Sequence, residues 1–373
     1  MRRILWFLYM LAVASGLPYP VSAQDVNGQG RQDSLRVAGT EADGFENPLF
    51  TSEDLLQLTL TLDFQELLKD RGEERGYHPA ILSYRDAAGA EVALNLKVMV
   101  RGNHRRNPET CNFPPLLLNF SRKTTRNTVF EHVNKVKLVT HCLNESYIHR
   151  EYLVYKLYNT LTEKSFRARL CRITYEDLHS KRKVETKYAF LIEDDKEMAR
   201  RNHGEIVRKE LVVGMEGTDE QAMATLAVFQ YMIGNTDWSV PYRHNIKLLS
   251  LDSLAAPFPV PYDFDYSGIV APPYAIPPAE LGISSVRQRL YRGYDFPDQV
   301  YKEVVKTFAA HRPAIYNLYR NYPYLEKSEV KRTLSFLDEF YETMDDPKDF
   351  ERRIVRVGQK NQKNYVVVKG LKE

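Results

Sequence analysis

Residues 234–245 read Gly-Asn-Thr-Asp-Trp-Ser-Val-Pro-Tyr-Arg-His-Asn, and residues 259–268 read Pro-Val-Pro-Tyr-Asp-Phe-Asp-Tyr-Ser-Gly. Between them lies a short, mostly apolar run at 246–249. Two loops rich in Asp and Asn therefore flank predicted strands. Hard cations take oxygen ligands, and phosphoryl transfer needs a carboxylate beside the attacking hydroxyl. In that chemistry Asp237 would orient or deprotonate a hydroxyl, while Asn245 and Asp263 would hold a magnesium ion on phosphate oxygens. Each residue also has a plainer reading. Asp237 closes a helix-ending turn, Asp263 and Asp265 form a strand-end turn or a calcium-type cluster, and Trp238, Tyr242 and Tyr266 pack in the core or at its rim. His244 reads as a structural neighbour of the loop.

Upstream, 219–233 is strongly apolar at Ala222, Leu226, Phe229, Met232 and Ile233. That spacing predicts a helix with Thr218 as N-cap and Gln221 three residues on, ending at Gly234. A short helix is expected at 195–201. Further towards the N-terminus, Leu56, Leu58, Leu60 and Leu62 alternate with polar residues as in a half-buried strand. Strands at 77–84 and 91–101 surround a turn at 86–89, and two more are expected at 114–120 and 134–140. The period changes to helical over 145–161, and a second hairpin follows at 167–175 and 184–192. Downstream come a proline-rich connection at 272–278 and predicted helices near 297–310, 312–320 and 328–345. A basic tail follows from Arg352, strand-like at 365–368.

Apolar residues make up 43% of the 373, enough for a large core. The formal charge of +3 is small, and basic pairs such as Arg105-Arg106 read as solvated loops, so no nucleic-acid partner is expected. Arg2-Arg3, an apolar run at 4–14 and Val-Ser-Ala ending at Ala23 have the form of a secretory signal. The expectation is an exported protein, periplasmic or extracellular, with no membrane span in its mature form. In an oxidising compartment the three cysteines allow one disulfide, with Cys111 and Cys142 a candidate pair.

Asn235-Thr236-Asp237, His244-Asn245 and Asp263-Phe264-Asp265 with Gly268 together resemble the spore-coat CotH kinase family and, more distantly, HipA-type kinases. Val100-Arg101-Gly102-Asn103, then Lys135-Val136-Lys137-Leu138, then a tyrosine-rich helix and a strand at 188–193 follow the same order. The resemblance spans roughly residues 90–270. No Gly-x-Gly-x-x-Gly, Val-Ala-Ile-Lys or His-Arg-Asp occurs, so ordinary protein kinases are not matched.

The resemblance implies an α+β, bilobal, atypical protein-kinase-like fold. Its parts would be a signal peptide (1–23), a leader (24–48), a sheet-rich N-lobe (49–193), a helical C-lobe (194–350) and a basic tail (351–373). It further implies that Lys137, paired with Glu151, grips nucleotide phosphates, with Arg101 as a second contact and Glu193 in the adenine hinge. Asp237 would be catalytic, and Asn245, Asp263 and Asp265 would bind Mg2+ or Mn2+. The donor would be ATP and the acceptor a hydroxyl of an envelope protein or a carbohydrate. The rival expectations are a non-catalytic envelope scaffold that binds partners, and a divalent ion that staples the two halves.

Overall fold

Leu56, Leu58, Leu60 and Leu62 point to one side of strand β1 (Leu56–Leu62) and are all buried. That side is the interior of a closed barrel, which satisfies the hydrogen-bonding edges of its strands by joining first to last. Its members are β1, β2 (His78–Arg85), β3 (Glu91–Val100), β4 (Leu116–Phe120), β5 (Lys135–Val139), β6 (Ala168–Asp177) and β7 (Glu185–Ile192), in the order β1-β2-β3-β4-β5-β7-β6. All neighbours are antiparallel except β1 and β6, which run parallel in register from Leu56↔Cys171 to Leu62↔Asp177 and close the ring. Helix α1 (Phe64–Lys69) follows β1, and its Phe64 ring packs against Phe113 and Tyr175.

The computed structural model describes residues 47–363, which include neither the expected signal peptide nor the strand-like 365–368. The fold is mixed α+β, with two apolar cores inside one compact unit. Strands β6 and β7 serve both cores. Cys171, Ile173, Ala189 and Leu191 face the barrel interior, whereas Leu170, Phe190 and Ile192 face the helices. Burial on both faces is why these strands read as nearly continuous apolar runs.

Helix α2 (Glu145–Leu161), capped by Asn144, sends Ile148, Tyr155, Leu157 and Tyr158 into the second core. After α3 (Asp195–Arg201) and the two-residue β8 (Glu205–Ile206) comes α4 (Glu220–Ile233), buried along most of its length. Its N-cap is Asp219, not Thr218: the Asp219 carboxylate accepts from Ala222 N at 2.9 Å. Strands β9 (Ile246–Ser250) and β10 (Phe258–Pro261) pair antiparallel beside β8.

One expectation is corrected downstream. The helices expected at 297–310 and 312–320 are one, α5 (Asp298–Arg320), with Pro313 inside it. Pro313 removes a backbone donor, but Phe308 before it and Ile315 after it are both fully buried, and packing keeps the helix continuous. Helix α6 (Lys327–Asp345) follows. The tail then stays helical through α7 (Pro347–Phe350), a π-helical turn and α8 (Arg356–Lys363), where Asn361 donates to the carbonyls of Tyr291 and Gly293. Among the described residues no helix is long and apolar enough to cross a membrane.

Candidate functional site

Gly234 ends α4 in the left-handed conformation (φ 67°), which turns the chain sharply. Asn235 completes the turn. Its amide nitrogen donates to Gln230 Oε1, and its amide oxygen accepts from Asp237 N at 3.0 Å. Asn235 is thus structural, and it lifts Asp237 out of the core. A tight hairpin, closed by paired backbone bonds between Ser239 and His244, then returns the chain to Asp237. His244 Nε2 lies 2.8 Å from Asp237 Oδ1, and Asn245 Nδ2 donates to Asp237 Oδ2 at 3.0 Å and to its carbonyl at 2.9 Å. Both carboxylate oxygens are held while the side chain stays partly exposed. Arg292 donates to the carbonyls of Thr236 and Trp238, fixing the backbone on either side.

The second loop is fastened to the first, because Tyr262 N donates to the Asn245 carbonyl at 3.0 Å. Asn245 (φ 52°) and Asp263 (φ 61°) both sit in the left-handed region, which costs non-glycine residues energy and is concentrated at functional loops. Asp263 N donates to the buried Tyr155 hydroxyl of α2. Between Asp263 and Asp265, Phe264 is fully buried against Tyr155 and Phe229, so both carboxylates turn the same way.

They turn towards Arg105. This side chain, on the loop between β3 and β4, is 7% exposed and reaches three carboxylates: Glu151 Oε2 at 3.0 Å, Asp263 Oδ1 at 3.0 Å and Asp265 Oδ2 at 3.2 Å. Tyr274 also donates to Asp265 Oδ2 at 3.1 Å. Burial would deprotonate Arg105, but Asp265 and Glu151 outweigh it and hold the guanidinium charged. Burial raises the Asp263 carboxyl, yet Arg105 and Arg101 together bring it below the usual range. Asp265 and Glu151 go the other way: burial lifts both, and Arg105 offsets only part of it.

Three expectations change here. Arg105 is no solvated loop residue. Glu151 pairs with Arg105 rather than with Lys137. The Lys137 ammonium lies instead over the rings of Tyr262 (5.0 Å) and Phe166 (5.9 Å), half-buried, while Lys135 is exposed. Glu193 is 1% exposed, and both of its carboxylate oxygens are engaged, by Arg201 (2.9 Å) and by Arg167 N (3.0 Å). A carboxylate that deep needs a counter-ion, and the next helix, α3, supplies it.

Around Lys137 lie two further cations, Arg101 and Lys247, and two carboxylates, Asp195 and Asp194. Lys247 also lies over Tyr262 (5.5 Å) and 3.6 Å from Asp195, and Arg101 acts on Lys137, Glu151 and Asp263 through its charge. Burial, then Arg101 and Lys247, lower the Lys137 ammonium to about 8 against the pull of Asp195 and Asp194. Tyr242 is exposed, Trp238 buried, and Tyr266 lies against His104 and Tyr274. Sequence reasoning missed Arg105, Arg292 and Lys247, because each acts through partners remote in the chain.

Among the described residues no group of three or more His, Cys, Asp or Glu side chains is arranged to hold a metal ion. With Arg105 engaged, Asp263 and Asp265 do not fit magnesium or manganese, since a guanidinium already takes their oxygens. The expected disulfide pair is present: Cys111–Cys142 ties the loop that carries Arg105 to the start of α2, and Cys171 is a buried free thiol.

No family model matches this chain, and no curated protein matches it. Among solved structures it is similar to the crystal structure of a Helicobacter pylori proinflammatory kinase, CtkA, with a TM-score of 0.34 and 11% identity over 79% of this chain and 96% of that one.

Proposed function

We propose that this chain is an exported, kinase-like phosphotransferase of the CotH type, with separate barrel and helical lobes around a nucleotide cleft. The observation that carries this reading is the Asp237 carboxylate, partly exposed and held at both oxygens by His244 and Asn245. It stands on a loop fastened to the one that bears Asp263 and Asp265. Lys137, Arg101 and Lys247 supply the positive charge that donor phosphates need, and Tyr262 gives the two lysines a common floor. The acceptor hydroxyl, on an envelope protein or a carbohydrate, lies against Asp237. Its oxygen attacks the terminal phosphorus of ATP as the bond to the leaving phosphate oxygen breaks, and its proton passes to Asp237 and then to water. Positioning and charge stabilisation do most of the work in such a transfer.

Thermal unfolding with ATP, with manganese, with calcium and with ATP plus manganese tests this reading. Saturation at a hundred times the dissociation constant adds about 2.7 kcal/mol. No stabilisation by any nucleotide would remove the donor from the proposal.

One observation favours a second reading. Arg105 already pairs with both loop carboxylates, so a scaffold that binds partners without transferring phosphate needs no metal. Nucleotide binding that is indifferent to metal, together with no phosphate transfer to any hydroxyl, would favour that reading.

A further inference from the structure

Three guanidinium groups from separate parts of the chain line one small cleft: Arg150 on α2, Arg287 in the segment before α5 and Arg332 on α6. The one carboxylate of the cleft, Glu329 in the first turn of α6, already pairs with Arg150. Arg150 is held further by the Val270 carbonyl, to which it donates at 3.1 Å. Arg287 lies over the Phe336 ring at 5.0 Å and donates to the Gly268 carbonyl at 3.4 Å. Glu339 also draws on Arg287, but it is paired with Arg289 at 3.0 Å. Arg332 and Arg150 both act on Arg287 as like charges, which disfavour one another. Three arginines against one glutamate leave two positive charges in excess. Arg287 and Arg332 are exposed, so this excess stands open to solvent.

We infer that this cleft binds a phosphate group, free or as a monoester, on Arg287 and Arg332, with Arg150 adding its charge. The excess of two charges matches a phosphate monoester, which carries about −1.5 to −2 at pH 7. A guanidinium fork fits two oxygens of one phosphate, and hydrogen bonds between charged partners are about twice as strong as neutral ones. Stacking on Phe336 pre-orders Arg287, which lowers the entropy cost of binding. Thr333 adds a hydroxyl to the lining, and Ile269 and Phe336 add apolar surface that thins the water around the charges. Arg150 keeps its pair with Glu329, so the ligand breaks no ion pair. The cleft shares no residue with the surroundings of Lys137, so a phosphate can sit here whether or not the chain transfers one.

The test is binding of inorganic phosphate to the mature protein without nucleotide, measured by calorimetry on wild type, Arg287→Gln, Arg332→Gln and Lys137→Gln. Each arginine variant is expected to bind phosphate at least about tenfold more weakly than wild type, a difference of about 1.4 kcal/mol. Both side chains are exposed, so neither change is expected to unfold the protein. Equal affinity in wild type and both arginine variants overturns the inference. So does a loss confined to Lys137→Gln, which would put the ion in the donor cleft. Acetate that binds as tightly as phosphate overturns it too. A second measurement, on wild type, needs no variant: phosphate should slow the labelling of Arg287 and Arg332 by phenylglyoxal, read peptide by peptide. Labelling that phosphate leaves unchanged overturns the inference. O-phosphoserine in the same titration separates the sources: tighter binding than inorganic phosphate assigns the cleft to a phosphorylated side chain, and weaker binding assigns it to the free ion. Phosphate binding at this cleft with no transfer from ATP by any form would leave the inference standing and sink the phosphotransferase reading.

Discussion

Gly268 N donates to the carbonyl of Gly234 at 3.0 Å, so the two glycines that bound the Asp-rich stretch meet across it. The contact continues with Ile269 N on the Ile233 carbonyl. The excursion from 234 to 268 is therefore a closed loop whose neck is two backbones in contact. A Cβ on Gly268 would lie 2.3 Å from the Val286 carbonyl oxygen, and one on Gly234 would lie 3.2 Å from the Phe336 ring. Gly268→Ala is expected to cost about 1–3 kcal/mol, as other small-to-large changes in packed sites do. Calorimetric unfolding checks this, and an unchanged melting temperature would mean that the neck yields freely.

Asp237 makes a sharper claim. If it receives the acceptor proton, Asp237→Asn should lower the transfer rate about 10²–10⁴-fold, the usual reach of a general base. Nucleotide affinity should stay near wild type, because Asp237 is held by His244 and Asn245 rather than by the residues around Lys137. Single-turnover transfer alongside equilibrium nucleotide binding separates the two. A mutant that transfers normally would take Asp237 out of the chemistry.

How far the sequence spoke depends on the range of the interaction. Alternation in 56–62 marked β1 and its buried face, and the turn at 86–89 marked the hairpin of β2 and β3, because those signals are local. Closure of the barrel was not visible: the parallel pairing of Leu56 with Cys171 joins segments more than a hundred residues apart and leaves no periodicity behind. The same holds at the site. The Gly-Asn-Thr-Asp turn is written in adjacent residues, whereas Arg105 reads as one of two loop arginines until the fold brings Glu151, Asp263 and Asp265 around it. Pro313 shows the opposite failure, a strong local breaker overruled by burial on both sides of it.

Two histidines, His149 buried and His141 half-buried, are expected to make the fold acid-sensitive. His141 stacks on Phe113 and has a buried Nδ1 with no partner, and His149 shares a hydrogen bond of 2.7 Å with the Tyr322 hydroxyl. Burial lowers both from 6.5 to about 4. Around His141 stand Glu185, Lys187, Glu145 and Arg182, and around His149 stand Glu145 and Glu329, none of which reverses that direction. The unfolded chain therefore binds more protons between those values. The stability these histidines contribute is complete above 6.5 and is lost as pH falls towards about 4, by up to about 1.4 kcal/mol per pH unit for each. Denaturant unfolding from pH 7.5 to 4.5 should show this slope, and His149→Gln should flatten it. An unaltered slope in that variant would assign the acid sensitivity elsewhere.

The Glu193–Arg201 pair is a test of the hinge. Arg201→Ala leaves a carboxylate that is 1% exposed without its counter-ion, and removing one partner of such a pair typically costs about 3–5 kcal/mol. Glu193→Gln should leave nucleotide affinity unchanged, because the side chain faces Arg201 and Arg167 N rather than the cleft. A loss of affinity in a folded Glu193→Gln protein would return Glu193 to the ligand.

Lys137 gives the cleft a pH dependence of its own. Burial, then the neighbouring charges of Arg101 and Lys247, lower its ammonium to about 8. Below that value it is charged and available to phosphate; above it the charge is lost. ATP affinity should therefore fall on going from pH 7 to pH 9, by up to about tenfold if binding requires the charged form, since each pH unit beyond the pKa removes a proton from nine sites in ten. Lys137→Arg keeps its charge throughout and should make the profile flat, because a guanidinium does not titrate in this range. Isothermal titration across pH 6.5–9.5 on both proteins reads this directly. If wild type and Lys137→Arg fall together, the pH dependence belongs to another group, and Lys137 is not the residue that meets the phosphates.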